Sequence, residues 1–217
     1  MTATRYLASI AAAVFLECAF WAQGPGSKPA ESNATSPALW SFSFNLSGYI
    51  VPHDQSYAST TFSADKQHFH LGARYNDEDI QTGSLWAGYN FEIGDKVVLQ
   101  ATPMIGGVFG HTTGIAPGYI AFINWKKLEL STEGEFVFDT TDRTGSFFYS
   151  WMEVSYSPLK WCRTGLVAQR TKAYHTSLDI QRGILVGFSH KRLDFTVYVF
   201  NAGWTTPTVV QSLTYSF

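Results

Sequence analysis

Residues 208–217 alternate between bulky and small side chains. The bulky ones are Val209, Leu213, Tyr215 and Phe217, and the small polar ones are Thr208, Ser212, Thr214 and Ser216. A period of two is the pattern of a β-strand with one apolar face and one polar face. Because a final aromatic residue would be exposed to water in a soluble protein, the pattern favours a strand whose apolar face meets lipid.

This pattern resembles the C-terminal assembly signal of bacterial outer-membrane β-barrel proteins, whose last strand ends on an aromatic residue preceded by alternating apolar residues. Leu213, Tyr215 and Phe217 match that signal. The resemblance implies a transmembrane antiparallel up-and-down β-barrel, integral to the outer membrane of a Gram-negative type envelope. It also implies two kinds of partner: outer-membrane lipid, including lipopolysaccharide, and the barrel-assembly machinery, which would bind the last strand. It implies no activity.

The beginning of the sequence predicts export. Arg5 precedes an apolar run over residues 6–16, which suits a signal peptide and is too short for a membrane helix of ~20 residues. We therefore expect a signal peptide at residues 1–22 and a disordered linker, rich in Gly, Pro and Ser, at residues 23–38. The barrel is expected at residues 39–217.

The composition agrees with a barrel. Charged residues make up 15% of the chain and aromatic residues 16%. A soluble domain usually carries about a quarter charged residues, whereas a membrane barrel needs fewer because its outer belt faces hydrocarbon. The formal net charge of −2 provides no basic surface for nucleic acid. The sequence shows no cofactor or metal motif, and we expect neither group.

Most of the chain after Leu39 alternates with the period of a strand. Clear examples are residues 67–76, 81–93, 127–139 and 193–203. Each is about ten residues long, as a tilted membrane strand requires. Short connections at 94–95, 125–127, 157–160 and 190–192 alternate with longer ones at 76–80, 110–114, 139–145, 172–177 and 203–207.

The alternation of short and long connections orients the barrel and sets its strand number. Outer-membrane barrels have short periplasmic turns and longer extracellular loops. An even strand number then requires a further strand at residues 55–63, where the alternation is weak, and a tight turn at residues 64–66. We predict twelve strands, with ten as the alternative if the weak strand and one neighbour belong to loops or a plug.

The polar faces of these strands carry charged side chains that would point into the barrel. They are His68, His70, Arg74, Glu92, Glu129, Glu133, Glu135, Glu153, Arg163, Asp179 and Asp194. Buried charges must be paired or hydrated, so in a purely structural barrel these groups would pair with each other and with water. They would equally line a narrow passive channel, porin-like, in which the excess of carboxylates favours small cations or other solutes. The sequence leaves the choice between channel and structural barrel open.

Two other functions are alternatives. An outer-membrane lipid-modifying hydrolase or acyltransferase needs a nucleophile beside a histidine. The available pairs are His175 with Ser177, His111 with Thr112 or Thr113, and Ser189 with His190. None lies in a catalytic motif, so we assign no catalytic residue and do not expect an enzyme. A soluble secreted barrel that binds an apolar ligand would instead turn its apolar face inward.

Three smaller features have specific expectations. His68 and His70 share a strand face, but two histidines alone do not define a metal site. Arg170 and Arg182 fall on outward positions near predicted outside loops, where they would reach lipid phosphates. The tryptophans near strand ends are expected in interfacial belts, with Trp86 and Trp151 as candidates for the interior. Those belt candidates are Trp40, Trp125, Trp151, Trp161 and Trp204.

Overall fold

Antiparallel strands make up most of the described chain. The computed structural model describes residues 39–173, 178–203 and 206–217, so the predicted signal peptide (1–22) and linker (23–38) lie outside the described residues. The strands are β1 (Ser41–Ile50), β2 (Tyr57–Lys66), β3 (Phe69–Tyr75), β4 (Thr82–Tyr89), β5 (Phe91–Ile93), β6 (Val98–Gly110), β7 (Gly114–Trp125), β8 (Leu128–Asp139), β9 (Phe147–Leu159), β10 (Cys162–Ala173), β11 (Asp179–His190), β12 (Leu193–Phe200) and β13 (Thr208–Ser216). A turn of 3-10 helix spans Arg143–Gly145. Within these ranges, no helix is long and apolar enough to cross a membrane.

The sheet closes on itself. Neighbouring strands pair antiparallel along the chain, and β1 pairs with β13 from Ser43 opposite Ser216 to Ile50 opposite Val209. Both β4 and β5 pair with β6, because they are two parts of one barrel strand that is interrupted at Asn90. The thirteen elements therefore form a closed antiparallel barrel of twelve strands. This confirms the predicted fold class and strand number.

Most connections follow the predicted alternation of short and long; the exception is the connection after β6 (111–113), which is shorter than the turn at 94–97. The connections after β2, β5, β7, β9 and β11 are short and lie at one end, together with the start of β1 and the end of β13. We refer to this as the turn end. The connections after β1, β3, β6, β8, β10 and β12 lie at the opposite end, the loop end. In an outer-membrane barrel the turn end faces the periplasm and the loop end faces outward.

The weak second strand is present, but its turn lies later than predicted. β2 still includes Asp65, which pairs with Ser41 in β1 and with His70 in β3. The predicted turn at residues 64–66 is therefore wrong. The chain reverses at Gln67 and His68 instead, with Gln67 in the left-handed region at φ 53°. His68 consequently lies in a turn and not on a strand face.

The apolar face of the barrel is its outer face. Phe69 and Leu85 are 62% and 61% exposed, whereas the inner-face residues Ser59, Ser84 and Thr196 are buried. An apolar outer band around a polar interior is the arrangement of a transmembrane barrel. A soluble barrel with an apolar ligand inside would need the reverse, so the arrangement does not favour that alternative.

The tryptophans divide between the two faces. Trp40, Trp125 and Trp161 are exposed at the turn end, where an interfacial belt is expected. Trp86 and Trp151 point inward, and Trp204 lies outside the described residues. The apolar side chains around Trp86 are Met104, Val108, Ala116 and Val137; those around Trp151 are Val167, Leu185, Tyr198, Phe200 and Val210. Two apolar groups thus narrow the interior.

Candidate functional site

Two arginines organise the charges inside the barrel. The Arg74 cluster, nearer the loop end, consists of Arg74, Asp77, Glu78, Glu133 and Glu135. The Arg163 cluster, nearer the turn end, consists of Arg163, Glu129, Glu153 and Asp194. Carboxylates outnumber arginines in both clusters. The inner wall is therefore rich in negative charge at two successive heights.

The Arg74 guanidinium is held on several sides. Its Nη1 donates to Oδ2 of Asp77 at 3.0 Å and to Oε2 of Glu135 at 3.2 Å. The same nitrogen lies 4.0 Å from Oε1 of Glu78, and the guanidinium carbon lies 4.7 Å from the ring centroid of Trp86. The side chains of Arg74 and Glu135 are only 7% and 3% exposed. Since one positive charge faces four carboxylates here, the cluster carries uncompensated negative charge whenever these groups are ionised.

The loop between β3 and β4 supplies two of those carboxylates by folding into the barrel mouth. Asn76 starts the inward bend with a left-handed φ of 57°. Its Nδ2 donates to the carbonyl of Ala58 at 3.0 Å, and its Oδ1 accepts from the backbone N–H of Gln81 at 2.8 Å. Both ends of the loop are thereby tied to the wall.

Three consecutive acids of this loop accept hydrogen bonds from three different elements: β2, β4 and the connection between β6 and β7. Asp77 accepts a hydrogen bond from Ser59 of β2 at 3.0 Å. Glu78 accepts hydrogen bonds from two side chains of β4, Ser84 and Trp86. Asp79 accepts from Nδ1 of His111 at 2.7 Å and from Thr112 at 2.9 Å. The length of this segment predicted only an outside loop, although its run of three acids was an available signal.

Glycines on neighbouring strands make room for the long inward side chains. A Cβ at Gly106 of β6 would lie 2.6 Å from the ring of Trp86, and one at Gly187 of β11 would lie 2.7 Å from Nε of Arg163. Any larger residue would displace these side chains. The glycines therefore allow Trp86 to lie flat across β6, and they allow Arg163, on β10, to reach over β11 to β12.

The arginine of the Arg163 cluster makes more hydrogen bonds than Arg74 does. Arg163 donates from Nη1 to Oε2 of Glu153 at 3.1 Å, and from Nη2 to Oδ1 of Asp194 at 3.3 Å and to Thr196 at 2.7 Å. The other oxygen of Asp194 accepts from Ser189 at 2.6 Å. Charge-assisted hydrogen bonds of this kind hold the arginine rigidly against the inner wall.

Two acids of the β3–β4 loop respond to their surroundings in opposite directions. Burial raises the pKa of Glu78 above its usual value near 4.5, and the nearby Asp77 carboxylate raises it further. Burial also acts on Asp79, but hydrogen bonds from His111 and Thr112 outweigh it and hold the pKa of that carboxyl below 3.8. Oε2 of Glu78 is buried and lacks a hydrogen-bond partner among the residues that the structure describes.

These opposite shifts give the loop a pH-dependent stability. Because the folded pKa of Glu78 is raised, its favourable contribution is complete below about pH 4.5 and is lost as the pH rises through the folded value. Glu78→Gln is therefore expected to match the native barrel below about pH 4.5 and to unfold at a higher urea concentration near neutral pH.

The matched control for this prediction is Asp79→Asn. The lowered pKa of Asp79 means that its contribution is present above pH 3.8 and is lost as the pH falls through the folded value. Asp79→Asn should therefore unfold at a lower urea concentration near neutral pH. A Glu78→Gln barrel that is less stable than the native one near neutral pH would contradict the assignment.

The predicted lumen residues are distributed unevenly. Seven of them belong to the two clusters: Arg74, Glu129, Glu133, Glu135, Glu153, Arg163 and Asp194. His70 also points inward, with Nδ1 2.8 Å from Oδ1 of Asp65. Glu92 and Asp179 occupy inner-face positions but are exposed at the turn end and the loop end respectively. The exposed His68 instead stacks on Tyr89, with ring centroids 5.1 Å apart.

Among the described residues, the candidate nucleophile–histidine pairs do not form a catalytic arrangement, and the candidate metal ligands do not form a cluster. Ser189 points inward onto Asp194, whereas the next residue, His190, is exposed on the opposite face of β11. His111 binds Asp79, and His175 and Ser177 lie outside the described residues. Over residues 39–173, 178–203 and 206–217, no three His, Cys, Asp or Glu side chains are arranged to hold a metal ion.

Comparison with known proteins identifies the fold. No protein-family model and no curated protein matches the sequence. A solved structure of KdgM porin is similar with 15% identity and a TM-score of 0.59, covering 81% of this chain and 99% of that chain. A structure of KdgM porin in complex with disordered oligogalacturonate is similar with 14% identity and a TM-score of 0.56, covering 82% and 99%. The chain thus shares the closed β-barrel fold of these two outer-membrane porin structures.

Proposed function

We propose that the protein is an integral outer-membrane barrel that passes small cations through a narrow, carboxylate-rich lumen. The observation that carries this proposal is the Arg74 cluster, in which one guanidinium faces four carboxylates. The proposed lumen residues are His70, Arg74, Glu92, Glu129, Glu133, Glu135, Glu153, Arg163, Asp179 and Asp194. Among the predicted residues, only His68 is omitted, because it lies in a turn.

Physical chemistry supports cations as the permeant species. Uncompensated carboxylates in a narrow, partly apolar interior are unfavourable unless protons or cations balance them. Charged side chains that line a pore set its ion preference in this way. Because the two clusters lie at successive heights, a cation that leaves the Arg74 cluster next meets the Arg163 cluster. The apolar groups around Trp86 and Trp151 restrict the remaining width.

The ligand of a similar barrel does not fit this interior. One similar structure is described as KdgM porin in complex with disordered oligogalacturonate, and oligogalacturonate is a chain of acidic sugars. Glu133 and Glu135 sit beside one another on the inner face of β8 and would repel such a polyanion. We therefore do not carry that ligand over to this chain.

Single-channel recording tests the proposed cation preference. In a planar bilayer with a KCl gradient, the reversal potential is expected to show that K⁺ permeates more readily than Cl⁻. Glu133→Gln combined with Glu135→Gln should reduce the K⁺/Cl⁻ permeability ratio by about threefold or more, because it removes charge from the narrow region. The control is Asp142→Asn, in the exposed β8–β9 loop. Anion preference would overturn the proposal.

A structural barrel is the second candidate function. The two inward-facing apolar groups favour it, because they fill part of the interior near the loop end. A correctly folded and inserted barrel that gives no conductance would select this function over the channel.

The proposed partners act on the outer face. Leu213, Tyr215 and Phe217 are 41%, 41% and 49% exposed there, and we propose that β13 presents them to the barrel-assembly machinery. Phe217 exchanges two backbone hydrogen bonds with Phe42, both at 2.9 Å. The same strand would therefore serve first in assembly and then in closing the barrel.

A further inference from the structure

The outer wall carries a groove near the loop end. It has a volume of about 410 Å³, within the range of about 300–1,000 Å³ that is usual for small-molecule sites. Most of its lining is lipid-facing and apolar, and it extends to Arg182 and Ala202 at the loop end. The apolar lining residues on the outer face include Met152, Val154, Leu166, Ala168, Ile184 and Val199.

At the loop end of the groove, the strands differ in length. β12 ends at Phe200, which pairs with Gly183 of β11, whereas β11 continues to Asp179. β10 continues alongside it, with Thr171 opposite Asp179. The loop-end part of β11 therefore has β10 on one side and no β12 partner on the other. Most of the groove lies below this point, on the paired parts of β9 to β12, and it ends beside the unpaired part of β11 at Arg182 and Ala202.

Arg182 lines the loop end of this groove, and two more basic side chains lie beyond it on β10. Arg170, Lys172 and Arg182 are all exposed on outward positions of β10 and β11. Arg170 pairs with Ile180 and Ala168 pairs with Arg182, so the two arginines are diagonal neighbours, roughly 7–8 Å apart. Within the described strands, the loop-end half of the outer wall has no other basic side chain. Neither arginine forms an ion pair with a described residue.

We infer that this groove and its basic rim form a binding site for a phosphorylated, acylated glycolipid of the outer leaflet, with lipid A as its chemical type. Guanidinium groups bind phosphate through two parallel hydrogen bonds, and the apolar groove accepts an acyl chain below them. A single-phosphate lipid would leave part of the basic rim unpaired. The inference rests on the proposed outer-membrane location, in which the loop end faces the outer leaflet.

Native mass spectrometry of the detergent-folded barrel tests the basic rim. With added diphosphoryl lipid A, the double variant Arg170→Gln/Arg182→Gln is expected to weaken binding about tenfold or more. The matched control is Lys126→Gln/Arg192→Gln, which removes two exposed charges at the turn end and should leave binding unchanged. Equal weakening by both double variants would overturn the inference, as would equal binding of phosphatidylglycerol to the native barrel.

A second pair of variants tests the groove itself. Ala168→Phe fills the groove and should weaken lipid A binding, whereas Ala87→Phe adds the same ring to the outer face of β4, outside the groove. Unchanged binding in Ala168→Phe would overturn the acyl-chain part of the inference.

Heat-modifiable gel migration separates the proposed membrane location from the proposed lipid site. A barrel that fails to fold in detergent argues against the membrane location, and a folded barrel that does not bind lipid A argues only against this site.

Discussion

Replacing Arg74 with methionine is expected to lower the free energy of unfolding by about 3–5 kcal/mol. The side chain is 7% exposed and binds Asp77 and Glu135 directly. Methionine fills much of the same volume but leaves the four carboxylates of the cluster without a cation. Removing one partner of a buried ion pair is strongly destabilising, because the remaining charge stays buried without compensation. Urea unfolding in detergent, followed by tryptophan fluorescence, measures the change.

Two variants determine whether charge is the cause. Arg143→Met removes an exposed arginine from the β8–β9 loop and should change the unfolding free energy by less than about 0.5 kcal/mol. Adding Glu135→Gln to Arg74→Met should recover part of the loss, because it removes one of the unpaired charges. A loss in Arg74→Met no larger than that in Arg143→Met would show that the carboxylates are compensated in another way.

The fold was predictable because every strand of a barrel repeats the same alternation of outward apolar and inward polar residues. In β8, Leu128 and Phe136 face outward while Glu129 and Glu133 face inward, so a single strand shows which face is apolar. The weak strand β2 needed a second argument, the even strand number. Its turn was misplaced because the chain reverses at Gln67, a residue type without a particular preference for the left-handed region.

The pairing of the inner charges was not predictable from the sequence. Arg74 and Glu135 are 61 positions apart and lie on β3 and β8, which are not neighbours in the sheet. Their contact depends on the width of the barrel and on the small residues between them. Gly187 acts similarly, since it lets Arg163 reach Asp194 two strands away. Alternation shows that a side chain points inward, but not which side chain it meets.

The inward loop between β3 and β4 shows a related limit. Its acids were visible in the sequence, but loop length alone indicated an extracellular connection. The partners that draw it inward, such as Ser59 and His111, lie on other strands and loops. Such partners belong to other parts of the chain, so they become known only with the register of the strands.

The apolar outer face of the barrel predicts that the cost of a charged substitution depends on its depth in the membrane. Ile105, in the middle of β6, and Ile93, at the turn end of β5, are 58% and 64% exposed on the outer face. In a bilayer these similar exposures have different consequences, because one side chain lies near the midplane and the other near the interface. Ile105→Arg should therefore lower the free energy of unfolding in lipid vesicles by about 2–4 kcal/mol, and Ile93→Arg by about 0–1 kcal/mol.

Equilibrium folding into vesicles, followed by gel mobility across a urea series, measures both values. The two substitutions are chemically identical and start from similarly exposed isoleucines, so depth in the membrane is the main difference between them. Water would solvate both arginines alike, whereas hydrocarbon penalises the one that lies deeper. Equal and small effects would mean that the apolar belt does not face lipid, and they would remove the physical basis for the channel and for the lipid site together.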